Sequence, residues 1–151
     1  MTTIKDRLDE DIRNAMRARN RERLDTLRFL KSQIQLAEKN ALKDLDDSGV
    51  TDVIAKQAKD RRESIEMFGQ GGRQDLVEKE QAALAVLQEY MPEQMDGEAI
   101  EALARQVIAD VGATGPGDRG KVMGRIMPQV RGKADGSEVN AVVSRLLESL
   151  G

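Results

Sequence analysis

A chain of 151 residues that is 34% charged, 2% aromatic and net −3 suits one ordinary domain, or two small helical ones with modest aliphatic cores. It has neither Cys nor His, which excludes disulfides, thiolate nucleophiles, the usual zinc ligand sets and histidine acid–base chemistry. The opening "MTTIKDRLDEDIRNAM" has no apolar leader and no run approaches a membrane span, so a soluble cytoplasmic protein without membrane contact is expected.

Thr3 is placed to cap a first helix, with Asp6 completing a capping-box-like pair. Ile4, Leu8, Ile12, Ala15 and Met16 then recur at steps of three and four. Asn20 offers a break or cap inside the polar "RARNRER". A second helix follows, with Leu24, Leu27, Leu30, Ile34, Ala37 and Ala41 on one face, a pattern suited to a helical hairpin. "DLDDSGV" reads as a turn. A third helix is expected from about Thr51 to Phe68, ended by "GQGG". A fourth carries Leu76, Ala83, Leu87 and Tyr90 and stops at Met91-Pro92. Phe29, Phe68 and Tyr90 all fall at expected core positions, which leaves no aromatic platform for stacking single-stranded bases.

Asp96 caps a fifth helix with Ile100, Leu103, Ala104, Val107, Ile108 and Val111 inward. "GATGPG" breaks it. Asp118 is expected to cap a sixth helix holding Val122, Met123, Ile126 and Met127. Asp135 with Glu138 opens a seventh, striped by Val139, Val142, Val143, Leu146 and Leu150. No segment alternates as a strand does. The expected fold is all-α: an N-terminal helical hairpin or bundle over residues 1–92, then a small three-helix domain over 97–151.

Charge is unevenly spread. Arg13 to Lys31 holds seven bases against Glu22 and Asp25, and Arg119 to Lys133 holds five bases and no acid. Each segment is therefore +5, in a chain whose remainder is −13. Gly115 to Lys121 reads G-x-x-x-x-G-K, the start of a phosphate loop. Position 122 is Val, so the Mg²⁺-binding hydroxyl is missing, and the apolar residues upstream have helical spacing. Gly120 and Gly124 admit two compatible readings, a close helix–helix crossing or close backbone approach to an anion. The acid-free bases Arg119, Lys121, Arg125, Arg131 and Lys133 are the leading candidates for phosphate contacts, with Arg17, Arg19, Arg21 and Arg23 as a secondary patch. No serine lies near an activating base, and the many carboxylates suit solvated helix faces. No catalytic residue, metal site or cofactor is expected.

The stretches "AMRARNRERLDTLRFLKSQI", "DLVEKEQAALAVLQEYMPEQM" and "GDRGKVMGRIMPQVRGKADGSEVNAVVSRLL" together resemble the YqeY-like family, stand-alone relatives of the C-terminal region of the GatB subunit of glutamyl-tRNA amidotransferase. The resemblance spans nearly the whole chain and implies an all-helical protein in two parts. In the amidotransferase, and in some glutaminyl-tRNA synthetases with a similar appendage, the C-terminal part helps hold tRNA. Gly120, Lys121, Gly124 and Pro128 fall in the matching helix. Arg131, Gly132 and Lys133 form the matching turn, and Asp135 and Gly136 open the last helix. A similar N-terminal pattern surrounds Arg23, Leu27 and Arg28.

The resemblance implies a non-catalytic tRNA-binding or tRNA-linked accessory module, with tRNA as partner. Two alternatives accompany it. One is a subunit or stimulator of a glutamine-dependent tRNA amidotransferase, a carbon–nitrogen ligase whose chemistry lies outside this region, or a partner of an aminoacyl-tRNA synthetase. The other is a helical protein–protein adaptor.

Overall fold

The structure, a computed structural model, describes residues 2–150. Among them it is all-α, with seven α-helices, one 3₁₀ turn and no strand. The chain forms two compact units, Met1–Met91 and Pro92–Gly151.

The first unit holds α1 (Ile4–Arg17), α2 (Arg21–Ala41), α3 (Asp47–Gln70) and α4 (Gln74–Gln88). Thr3 and Asp6 form the reciprocal capping box, each side chain accepting the other's backbone N–H. α1 ends at Arg17, and Asn20 caps the start of α2, its Oδ1 accepting the Arg23 N–H at 3.3 Å. α3 starts at Asp47, four residues before the expected Thr51. Asp46 Oδ1 accepts the Gly49 N–H at 2.9 Å, so the "DLDD" turn already contains the cap. The Asp47 carboxylate also accepts the Ile4 N–H at 3.0 Å, fastening the start of α3 to that of α1.

Leu8, Leu27, Leu30, Ile34, Val50, Ile54, Leu87 and Tyr90 form the core of this unit. Burying each large side chain contributes about 1.5–3 kcal/mol. Three sequence expectations fail here, the first being Ala41, which is exposed rather than on the inward face of α2. Met16 is half exposed, and Phe29 is 46% exposed rather than in the core. Leu27, Leu30 and Ile34 already define the inward stripe of α2, and Phe29 stands about 200° round from Leu27 at 100° per residue.

α2 ends on Leu42, a left-handed residue (φ 55°, ψ 35°) that is also 90% exposed. A leucine there crowds its own backbone and buries nothing. Leu42→Gly should therefore raise stability by about 0.5–1 kcal/mol, read as an increase in melting temperature. An unchanged or lower value would show that Leu42 makes a stabilising contact.

The second unit holds α5 (Gly97–Val111), a 3₁₀ turn (Pro116–Asp118), α6 (Arg119–Val130) and α7 (Gly136–Glu148). Asp96 caps α5 through the Ala99 N–H at 2.8 Å, and left-handed Gly112 (φ 68°) closes it. Ile100, Ala104, Val107, Val122, Ile126, Val130, Val139, Val143 and Leu147 make the core. Leu147 rather than Leu150 completes the α7 stripe, since the helix stops at Glu148 and Leu150 lies beyond it, half exposed. No helix of the described residues is long and apolar enough to cross a membrane.

Candidate nucleic-acid interface

Val122, Ile126 and Val130 bury one face of α6, which leaves the opposite side outward by helical geometry. Gly120, Lys121, Gly124 and Pro128 are exposed there, Arg125 is exposed on its flank, and Arg119, in line with the buried residues, is exposed at the start of the helix. The expectation that Gly120 and Gly124 seat a close helix crossing is corrected: a Cβ added at either meets nothing within 4 Å. These glycines instead leave the backbone uncovered between basic side chains.

Pro128 lies inside α6. Having no N–H, it removes the donor that would normally serve the Gly124 carbonyl four residues earlier. The exposed face therefore presents cations beside a backbone carbonyl that has lost its usual helical donor.

α6 ends in a turn. Arg131 leaves helical geometry (φ −56°, ψ 122°), and Gly132 is left-handed (φ 76°). A non-glycine residue at 132 would be strained, so the chain can turn there and still present Arg131 and Lys133 at the surface. The turn is held by backbone bonds: the Lys133 N–H donates to the Val130 carbonyl at 2.8 Å, and the Lys133 carbonyl accepts the Met95 N–H at 2.9 Å. Gln94 also donates to the Gly132 carbonyl at 2.8 Å.

The nearby acids are occupied. Asp118 precedes α6 but does not cap it. Its carboxylate turns back to accept the Thr114 N–H at 2.9 Å, because the Pro116–Asp118 turn aims it at its own loop. Asp135 caps α7 through the Ser137 N–H at 3.1 Å. Glu101 pairs with Arg105 at 2.6 Å and Arg145 at 3.3 Å, and these two guanidiniums, Arg105 first, hold its carboxyl below the usual range. Among the described residues no carboxylate pairs with Arg119, Lys121, Arg125 or Lys133.

The secondary patch is arranged differently. Arg23 makes two bonds to Glu89, at 2.7 and 3.1 Å. Arg7 lies over the Tyr90 ring at 4.4 Å and donates to the Glu89 carbonyl at 2.8 Å. The Tyr90 hydroxyl donates to Asp11, and burial, followed by that bond, raises the phenol's pKa. Arg23 thus belongs to a network that fastens the end of α4 to α1 and α2. Arg17 bonds Asn14 at 3.2 Å, whereas Arg19 (φ 55°) and Arg21 are exposed at the α1–α2 connection.

Comparison with known proteins supplies the relationship. The Yqey-like protein family matches residues 5–147. "Altered inheritance of mitochondria protein 41, mitochondrial" from Pyrenophora tritici-repentis is 41% identical over 134 residues, covering 87% of this chain and 74% of that protein. The protein of the same name from Kluyveromyces lactis is 33% identical over 131 residues, covering 85% of this chain and 67% of that protein. That of Eremothecium gossypii is 38% identical over 85 residues, and the match spans less than half of its length (46%).

These relatives are mitochondrial by name, which overturns the expectation of a cytoplasmic protein. Composition could not separate the compartments, because a Cys-free helical chain is stable in either aqueous phase. Matched along nearly its whole length, the chain belongs to the Yqey-like protein family.

Proposed function

We propose that the C-terminal unit docks on the sugar–phosphate backbone of a structured RNA, of the tRNA class, and that the chain is a binding accessory rather than a catalyst. The observation that supports this is the exposed face of α6, where Lys121 and Arg125 flank uncovered glycine backbone without a competing carboxylate among the described residues. Phosphates attract such cations without reference to base identity, so the reading is of shape rather than sequence. The Gly124 carbonyl, deprived of its usual donor by Pro128, offers an acceptor to a ribose 2′-hydroxyl, a group absent from DNA.

Electrophoretic binding of the purified chain to total tRNA, run at two salt concentrations, tests the proposal. Engagement of roughly three or four phosphates should make affinity fall about fortyfold to 150-fold between 50 and 200 mM salt. A DNA hairpin of matched length should bind more weakly. Absence of tRNA retention at low salt would refute the reading.

A further inference from the structure

The outward face of α2 carries a second pattern that the RNA reading leaves unused. Glu22, Asp25, Phe29, Ser32, Leu36 and Lys39 recur at alternating steps of three and four, and all are exposed. This is the spacing of a coiled-coil seam. Lys43 follows just beyond the helix end, also exposed. The seam is acidic at its start, apolar in its middle and basic at its finish. The helix dipole accounts for the charge gradient, but not for Phe29 at 46% and Leu36 at 50% exposure, two turns apart on one line.

We propose that this face pairs with the same face of a second copy of the chain, with the two α2 helices antiparallel and a two-fold axis at Ser32. The seam is complementary to itself only in that orientation. Phe29 then meets Leu36 of the second copy, Asp25 meets its Lys39, and Glu22 meets its Lys43, each contact occurring twice as a two-fold interface requires. A parallel pairing would place like charges against each other. Among the described residues none of these four charged side chains has an ion partner within the chain.

Ser32, at the axis, is small, and its hydroxyl is already satisfied by the Phe29 carbonyl at 2.6 Å, so it can be covered without losing a bond to water. Hollows of about 430 Å³, between Phe29 and Arg61 of α3 and Val86 of α4, and of about 450 Å³, between Leu36 and Val53 of α3, flank the seam on one side and give the incoming side chains room. With two large apolar residues per copy, the association belongs to the weak, concentration-dependent class.

Sedimentation equilibrium of the full chain from roughly 10 µM to 1 mM should show a monomer–dimer equilibrium, as expected for a small interface. Glu22→Lys with Asp25→Lys should weaken it by at least about tenfold, through repulsion from Lys39 and Lys43. Adding Lys39→Glu and Lys43→Glu to the same chain should restore it. Because the chain has no Cys, Ser32→Cys supplies a single thiol. That variant should form a disulfide-linked dimer under mild oxidation far faster than Lys43→Cys, whose opposite number is Glu22. Circular dichroism checks that each variant stays helical. A monomer at every concentration, failure of the fourfold charge exchange to restore association, or equal crosslinking at 32 and 43 would overturn the proposal.

Discussion

Lys121→Glu combined with Arg125→Glu should lower tRNA affinity by about a hundredfold at low salt and flatten its salt dependence by about two phosphate equivalents. Both side chains are exposed on α6, outside the buried line of Val122, Ile126 and Val130, so the exchange leaves the core untouched. The +5 segment from Arg119 to Lys133 becomes +1, and its local field no longer favours a polyanion. The same exchange at Arg17 and Arg21 should have a smaller effect, since Glu10 of α1 and Glu89, just beyond α4, already neutralise part of that region. Equal losses from the two pairs would move the interface to the whole basic surface. An unchanged affinity in the α6 variant, with its circular dichroism intact, would remove α6 from RNA contact altogether.

Ile126→Ala should destabilise the C-terminal unit by about 2–4 kcal/mol, seen as a lower denaturant midpoint. Ile126 is fully buried in a cluster with Val122, Val130, Val139, Val143 and Leu147, where few large side chains share the work. A core this small, with its β-branched neighbours stiff at χ1, cannot close readily over the lost carbons, so the cavity persists. A change below about 1 kcal/mol would show that α6 repacks freely. In that case the exposed basic face would not be held in a defined orientation, which weakens the case for α6 as an RNA platform.

Helix positions were legible before the structure because capping chemistry and apolar spacing are local. Thr3 with Asp6, Asn20, Asp96 and Asp135 all cap the helices that their sequence neighbourhoods suggest. Errors arose where two local signals competed. Asp46 and the apolar Val50 compete for the "DLDDSGV" turn, and the cap prevails, so α3 starts early. Asp118 resembles a cap by residue type, yet Pro116 bends the loop so that its carboxylate reaches Thr114 instead.

The all-α class, the helix stripes and the acid-free run from Arg119 to Lys133 follow from residue order alone, because composition, period and charge are properties of neighbours along the chain. Tertiary structure decided which side chains that pattern leaves available. It engaged Arg23 with Glu89, 66 residues away, and left Lys121 and Arg125 exposed beside open glycine backbone. It also turned Phe29 outward, because Leu27, Leu30 and Ile34 had already filled the one face of α2 that its neighbours could cover. Partnership and exposure depend on which distant residues arrive at the same place, and no local spacing encodes that.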